Sequence, residues 1–182
     1  MEVSIGAKWL ELLKQLAPNV SRVAFLSNPE NPGPRQTLGA VRAAASGFGV
    51  ETLDTPVHTP TEIDTVISGL GPKGGLIVPP DGFLILQRDF IIELADRYRL
   101  PAVYGLRQFA VAGGLVAYGP SFVFQCQQAA EYVDRILRGE RPGELPVQQP
   151  TEFDFVINLK AAKKLGLSVT PSVLISAREV IE

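Results

Sequence analysis

Between residues 20 and 105, short apolar runs alternate with amphipathic stretches, and only a few residues separate one from the next. A chain patterned this way has few choices other than a parallel sheet covered by helices on both faces. RVAFLS (22–27) reads as a buried parallel strand, and VETL (50–53), GLIVP (75–79) and PAVY (101–104) read as the strands that follow it. Between them, Leu38, Val41, Ala45 and Phe48 fall on one helical face, closed by Gly47 and Gly49. Ile63, Val66, Ile67 and Leu70 mark a second helix, which Thr59-Pro60-Thr61-Glu62 opens as a capping box. A third helix is predicted over 84–99, with Phe90, Ile91, Leu94 and Tyr98 inward and Glu93 paired with Arg97 outside. Ahead of the lobe, Trp9, Leu12, Leu13 and Leu16 define a helix over 7–17, stopped by Pro18-Asn19. The expected fold class is α/β: a three-layer, Rossmann-like lobe with a parallel sheet in residues 1–105, followed by C-terminal return elements in 106–182.

After Gly105 the pattern changes. A short segment (107–112) leads to a strand, LVAY (115–118), and then to a helix over 122–138 with Phe122, Cys126, Ala129, Val133 and Ile136 on one face. A polar linker of three prolines spans 139–150, and FDFVI (153–157) alternates like a half-exposed strand. Residues 158–165 read as a short helix ended by Gly166, and Thr170-Pro171 and Ser176–Glu179 each resemble a helix start. These elements do not close a layer by themselves. They either extend the first sheet or belong to a second lobe that is mostly absent.

Composition removes several chemistries. One Cys and one His leave no disulfide, no Cys-rich metal site and no multi-His site. A net charge of −2 without a Lys/Arg block lacks the footprint of a nucleic-acid or anionic-membrane binder. Gly and Pro make up about 18% of the chain against about 12% in average usage, which fits many short connections. No apolar run is long enough to span a bilayer, and the N-terminus, with Glu2, Lys8 and Glu11, does not read as a signal peptide.

Open parallel sheets bind ligands beyond the carboxyl ends of their strands. The residues expected there are Asn28 and Asn31 after the first strand, Asp81 and Phe83 after the third, and Tyr104 and Arg107 after the fourth. Tyr118 and Ser121 follow the strand at 115–118. Amides, hydroxyls, a carboxylate, a guanidinium and aromatics on one rim suit a small zwitterionic or polar organic ligand. Asn and Asp also end strands simply as turns and helix caps.

Gly69-Leu-Gly71-Pro-Lys-Gly74 matches G-x-G-x-x-G, but it closes a helix and precedes a strand, the reverse of the nucleotide fingerprint. No G-x-S-x-G elbow occurs. His58 is expected in a surface loop and Cys126 in the core. No catalytic residue, cofactor or metal is expected.

The segment KWLELLKQLAPNVSRVAFLSNPENPG, followed by LIVPPDGF, LPAVYG, AGGLVAYGPS and YVDRILRGERPGELPVQQPTEFDFVINLKAAKKLGL, resembles a family of bacterial ABC-transporter substrate-binding proteins. Some of its members resemble tryptophan or other amino-acid binders. The resemblance implies two α/β lobes of the type I periplasmic-binding-protein kind, a ligand trapped between them, and delivery to a membrane permease. It further implies that the chain is the second lobe with its return elements, lacking a signal peptide and the first lobe. The full-length protein would then be periplasmic or extracytoplasmic, and residues 106–182 would pack on the missing first lobe.

The expected function is therefore the solute-binding component of an ABC importer, taking an amino acid or a relative. The rivals are a flavodoxin-like or isomerase-type enzyme, which lacks a visible phosphate loop or acid–base pair, and a ligand-sensing regulatory domain on the same fold. With an apolar helix stripe and a strand edge left uncovered, the chain is expected to form a homodimer.

Overall fold

The computed structural model describes residues 5–182. The first four, which include Glu2 of the signal-peptide reading, lie outside the described residues.

The predicted alternation is realised. Helix α1 (Ile5–Leu16) precedes β1 (Arg22–Ser27), α2 (Gly33–Phe48), β2 (Glu51–Pro56), α3 (Pro60–Ser68) and β3 (Gly74–Val78). Then follow α4 (Gly82–Leu86), α5 (Arg88–Arg97), β4 (Ala102–Tyr104), α6 (Arg107–Val111) and β5 (Val116–Pro120). The chain ends with α7 (Phe122–Leu137), β6 (Phe153–Asn158), α8 (Leu159–Leu165), α9 (Pro171–Ser176) and β7 (Glu179–Ile181). Seven strands form one sheet in the order β2-β1-β3-β4-β5-β6-β7. The first five run parallel; β6 is antiparallel to β5, and β7 runs parallel to β6.

Strand alternation divides the core into two layers. Val23, Phe25, Ile77, Val103, Val116 and Ile157 face a layer built with α1, α2, α8 and α9. Ala24, Leu26, Leu76, Val78, Tyr104, Ala117 and Val156 face the layer of α3 to α6. Trp9 of α1 is fully buried, and its indole N–H donates to the Tyr118 carbonyl at 2.6 Å. One bond thus ties the N-terminal helix to β5, more than a hundred residues away in the chain. The capping box at Thr59 forms as read: its hydroxyl accepts from the Glu62 N–H, while Glu62 accepts from the Thr59 N–H.

Five expectations change. The strands at 115–118 and 153–157 do not leave for another lobe: as β5 and β6 they extend this lobe's own sheet, because the Val103–Tyr104 edge of β4 is open to pairing. The helix over 84–99 is two helices, meeting at Gln87. Ser176–Glu179 does not open a helix; Arg178 donates its N–H to Phe155, and β7 begins beside β6. Phe48 and Tyr98 are exposed at the ends of their helices. The stripe of α7 is left uncovered, as expected: the helix buries none of its residues, and Phe122 is 70% and Leu137 81% exposed. Cys126, expected in the core, is exposed with that helix.

The literal G-x-G-x-x-G segment closes α3 and leads into β3, as read. His58 is exposed, with its imidazole 3.3 Å from Glu62.

Candidate functional site

A cleft of about 600 Å³ opens at the carboxyl end of the parallel strands. Asp81 follows β3, is 4% exposed and caps the short helix α4, accepting from the Leu84 N–H at 3.0 Å through Oδ1. Its Oδ2 accepts from the Asn31 side-chain amide at 2.8 Å. Asn31 in turn accepts from the Gly33 N–H, which folds the loop after β1 into the start of α2. These three bonds hold two strand-end loops together at the cleft.

Arg107 stands at the first position of α6 and lines the same cleft. Its guanidinium grips Glu179 at two points, both 2.8 Å, in the fork geometry of an Arg–carboxylate pair. The Glu179 hydrogen bonds raise the Arg107 pKa further, opposed by partial burial and assisted by the Asp154 carboxylate nearby. Asp154 sits opposite Gly119 in the β5–β6 register and lines the cleft. It makes no hydrogen bond to another described residue, so its oxygens remain open acceptors. The rest of the wall is largely apolar, with Pro80, Ile85, Leu106, Pro120, Phe122 and Val123 beside Gln108.

Beside the lining residues Leu106 and Pro120, the strand ends pack closely on one another. A Cβ on Gly119 would fall 1.9 Å from the Gly105 carbonyl oxygen, and a Cβ on Gly105 would fall 2.4 Å from the Pro80 ring. The ends of β4 and β5 therefore meet backbone to backbone, and the end of β4 meets the end of β3 at the Pro80 ring.

Of the eight residues singled out from the sequence, Asn31, Asp81 and Arg107 line this cleft together. Asn28 lines a different cavity beside β2. Phe83 packs half-buried into the α3–α6 layer. Tyr104 is fully buried and stacked on Phe109, with ring centroids 4.9 Å apart. Burial, and secondarily the Asp96 carboxylate, pushes its phenol well above the ordinary range, so it stays neutral. Tyr118 lies in the other layer, stacked on Phe153. Ser121 is buried at the start of α7, where its N–H donates to the Glu152 carbonyl, between the lining residues Pro120 and Phe122.

Sequence reading missed Asp154 and Glu179. Both begin strands, and only the ends of strands were searched. Because β6 and β7 run against the parallel five, their first residues share the rim with the others' last residues. The alternation of FDFVI, with Asp154 on its polar face, was the available signal.

Among the described residues, no group of three His, Cys, Asp or Glu side chains is placed to hold a metal ion, and no helix is long and apolar enough to cross a membrane.

A mostly parallel α/β lobe with a polar-and-apolar cleft at its strand ends defines a small-molecule binding lobe of the periplasmic-binding-protein kind. The family model for ABC transporter substrate binding protein matches residues 4–181, and the chain belongs to that family. A tyrosine-binding protein of Clostridioides difficile (strain R20291) is 23% identical over 161 residues, 88% of this chain and 47% of its own length. An ABC domain from Streptococcus pneumoniae, solved in complex with L-Trp, superposes with a TM-score of 0.86 at 21% identity, covering 97% of this chain and 60% of that one. A conserved domain protein of Vibrio cholerae O1 biovar El Tor superposes equally well, with a TM-score of 0.86 at 23% identity and the same coverage. The chain thus spans about half to three fifths of the length of these relatives.

Proposed function

We propose that this chain supplies one wall of the solute cleft in the binding component of an ABC importer, and that the solute is an amino acid with an apolar or aromatic side chain. The observation that carries this reading is Asp154: a carboxylate with open oxygens beside an apolar wall. Asp81 and Asp154 line the cleft with one guanidinium, Arg107, which Glu179 already pairs, so the local balance favours an ammonium group. Asp154 accepts from that ammonium, and the wall of Ile85, Leu106, Phe122 and Val123 takes the side chain. Arg107, already held by Glu179, keeps its outer N–H groups for the solute carboxylate. The names of the relatives, a tyrosine-binding protein and an L-Trp complex, support the choice of side chain.

In this reading the protein is not an enzyme. It works outside the cytoplasm by closing on its solute against a first lobe and presenting the closed form to a permease. The open stripe of α7 is the surface that lobe covers. The 182-residue chain alone is then expected to pair through α7, and light scattering at micromolar concentration should give a dimer; a monomer of 19.6 kDa would refute the pairing.

The test of the solute is calorimetric titration of the full-length protein with tyrosine, tryptophan, leucine and glutamate. Apolar and aromatic amino acids should bind saturably and glutamate should not. Asp154→Asn should weaken binding about tenfold or more, as loss of a charge-assisted hydrogen bond does. Preference for glutamate, or unchanged affinity in Asp154→Asn, would overturn the reading.

A further inference from the structure

A second cleft, of about 570 Å³, opens where β1 and β2 end beside the first turns of α2. Its electrostatic character is opposite to that of the first. Arg35 and Arg42 line it from α2, seven residues apart and so on one face of the helix. Asn28 lines it too; its Oδ1 is engaged by the Glu30 N–H at 3.0 Å, which leaves the side-chain NH₂ as a donor. The one carboxylate in its lining is Asp54, already committed to the Ser27 hydroxyl at 3.0 Å and approached by Arg42 at 3.6 Å. Pro29 and Pro56 flank it with apolar surface.

Arg35 has no structural role that the fold explains. It occupies the first turn of α2, where the helix dipole disfavours a cation. No acidic residue stands in that turn. Its backbone donors are already taken, Gly33 N–H by the Asn31 side-chain oxygen and Arg35 N–H by the Pro32 carbonyl, and Pro34 has none. Among the described residues, Arg35 forms no ion pair. A guanidinium without an ion pair, lining a cavity together with a second guanidinium and an amide donor, is a combination that a bound anion resolves.

We propose that this second cleft binds a small organic anion, a carboxylate or a phosphate ester. Its charged group sits between Arg35 and Asn28, and its carbon skeleton lies against Pro29 and Pro56. The loop after β1 serves both clefts, since Asn31 faces the first and Asn28 the second. The site does not depend on the solute reading of the first cleft, and its binding is measured separately.

Calorimetric titration of the full-length protein with citrate and with glycerol 3-phosphate, at constant ionic strength, tests it. Saturable one-to-one binding of either compound is expected, and which one binds names the anionic group. Arg35→Ala should weaken it about tenfold, and adding Arg42→Ala should weaken it further. Because Arg35 and Arg42 are exposed, both variants should keep the parent circular dichroism and melting temperature, which separates loss of binding from loss of fold. Absence of saturable binding for both compounds overturns the proposal, as does unchanged affinity in Arg35→Ala.

Discussion

Gly119→Ala should lower the stability of the chain by about 3 kcal/mol or more, the upper end of what overpacking costs. Most Gly-to-Ala changes in strands are mild or even helpful, because alanine restricts the unfolded chain. Here the added Cβ meets the Gly105 carbonyl oxygen at 1.9 Å and the carbonyl carbon at 3.0 Å. Neither is the end of a side chain that could turn away. Relief requires moving β5 from β4, and β4 cannot yield in the other direction because Gly105 itself lies against the Pro80 ring. The displacement would therefore spread across three strand ends and shift the lining residues that follow them, Leu106 and Pro120 among them. A loss of that size is a large share of the roughly 5–15 kcal/mol that holds a domain together. It corresponds to a fall in melting temperature of roughly 6–12 °C for a chain of this length. Urea denaturation followed by circular dichroism gives the number directly. A loss below about 1 kcal/mol would mean that the strand ends separate easily, and that their close packing beside the cleft is not rigid.

The same close packing shows what the sequence could and could not say. The first four parallel strands, and α2 and α3 between them, are legible because each carries its own local pattern of apolar residues and turn or cap signals. β5 and β6 were legible as strands, yet their place in the sheet was not. Nothing local distinguishes a strand that extends the β4 edge from one that departs to another lobe; the pairing of Val103 with Val116 decides it. α7 shows the converse. Its stripe of Phe122, Val133 and Ile136 was read correctly as a helix with one apolar face, but periodicity predicts only that the face needs cover. In this chain the face remains open.

The site was legible to the same depth. The rule that ligands bind past parallel strand ends found Asn31, Asp81 and Arg107, because those residues follow immediately on their strands and turn outward with the loops. It failed for Tyr104 and Tyr118, which still belong to the pleat: each points into a core layer, where it stacks on a neighbouring ring. It also failed for Asp154 and Glu179, whose strands run the other way. Knowing the direction of β6 would have added Asp154, and direction is a tertiary fact.

Asp81→Ala should be the most damaging change of a polar side chain at the cleft, lowering stability by about 2–4 kcal/mol. About 1 kcal/mol of that comes from the lost cap of α4, a helix of five residues with little other reason to persist. The remainder comes from the Asn31 amide, left without its charged acceptor in a partly buried position. Solute affinity should fall with it, since the loop after β1 loses its anchor to β3. The two contributions can be separated. Asp81→Asn keeps an oxygen for the Leu84 N–H, and asparagine caps helices as well as aspartate does. It faces the Asn31 amide, however, with an amide of its own, donor against donor, so the bridge alone is broken. Asn31→Asp by itself sets two carboxylates against each other while still accepting from the Gly33 N–H. Combining the two substitutions restores a donor opposite an acceptor with the roles exchanged. The double variant should therefore be more stable than the sum of the single losses predicts, by about 1 kcal/mol or more, the coupling expected for residues in one hydrogen-bonded network. Strict additivity in the denaturation midpoints would show that Asn31 and Asp81 do not act as a bridge, and the cleft would then lose the link between its first and third strand ends.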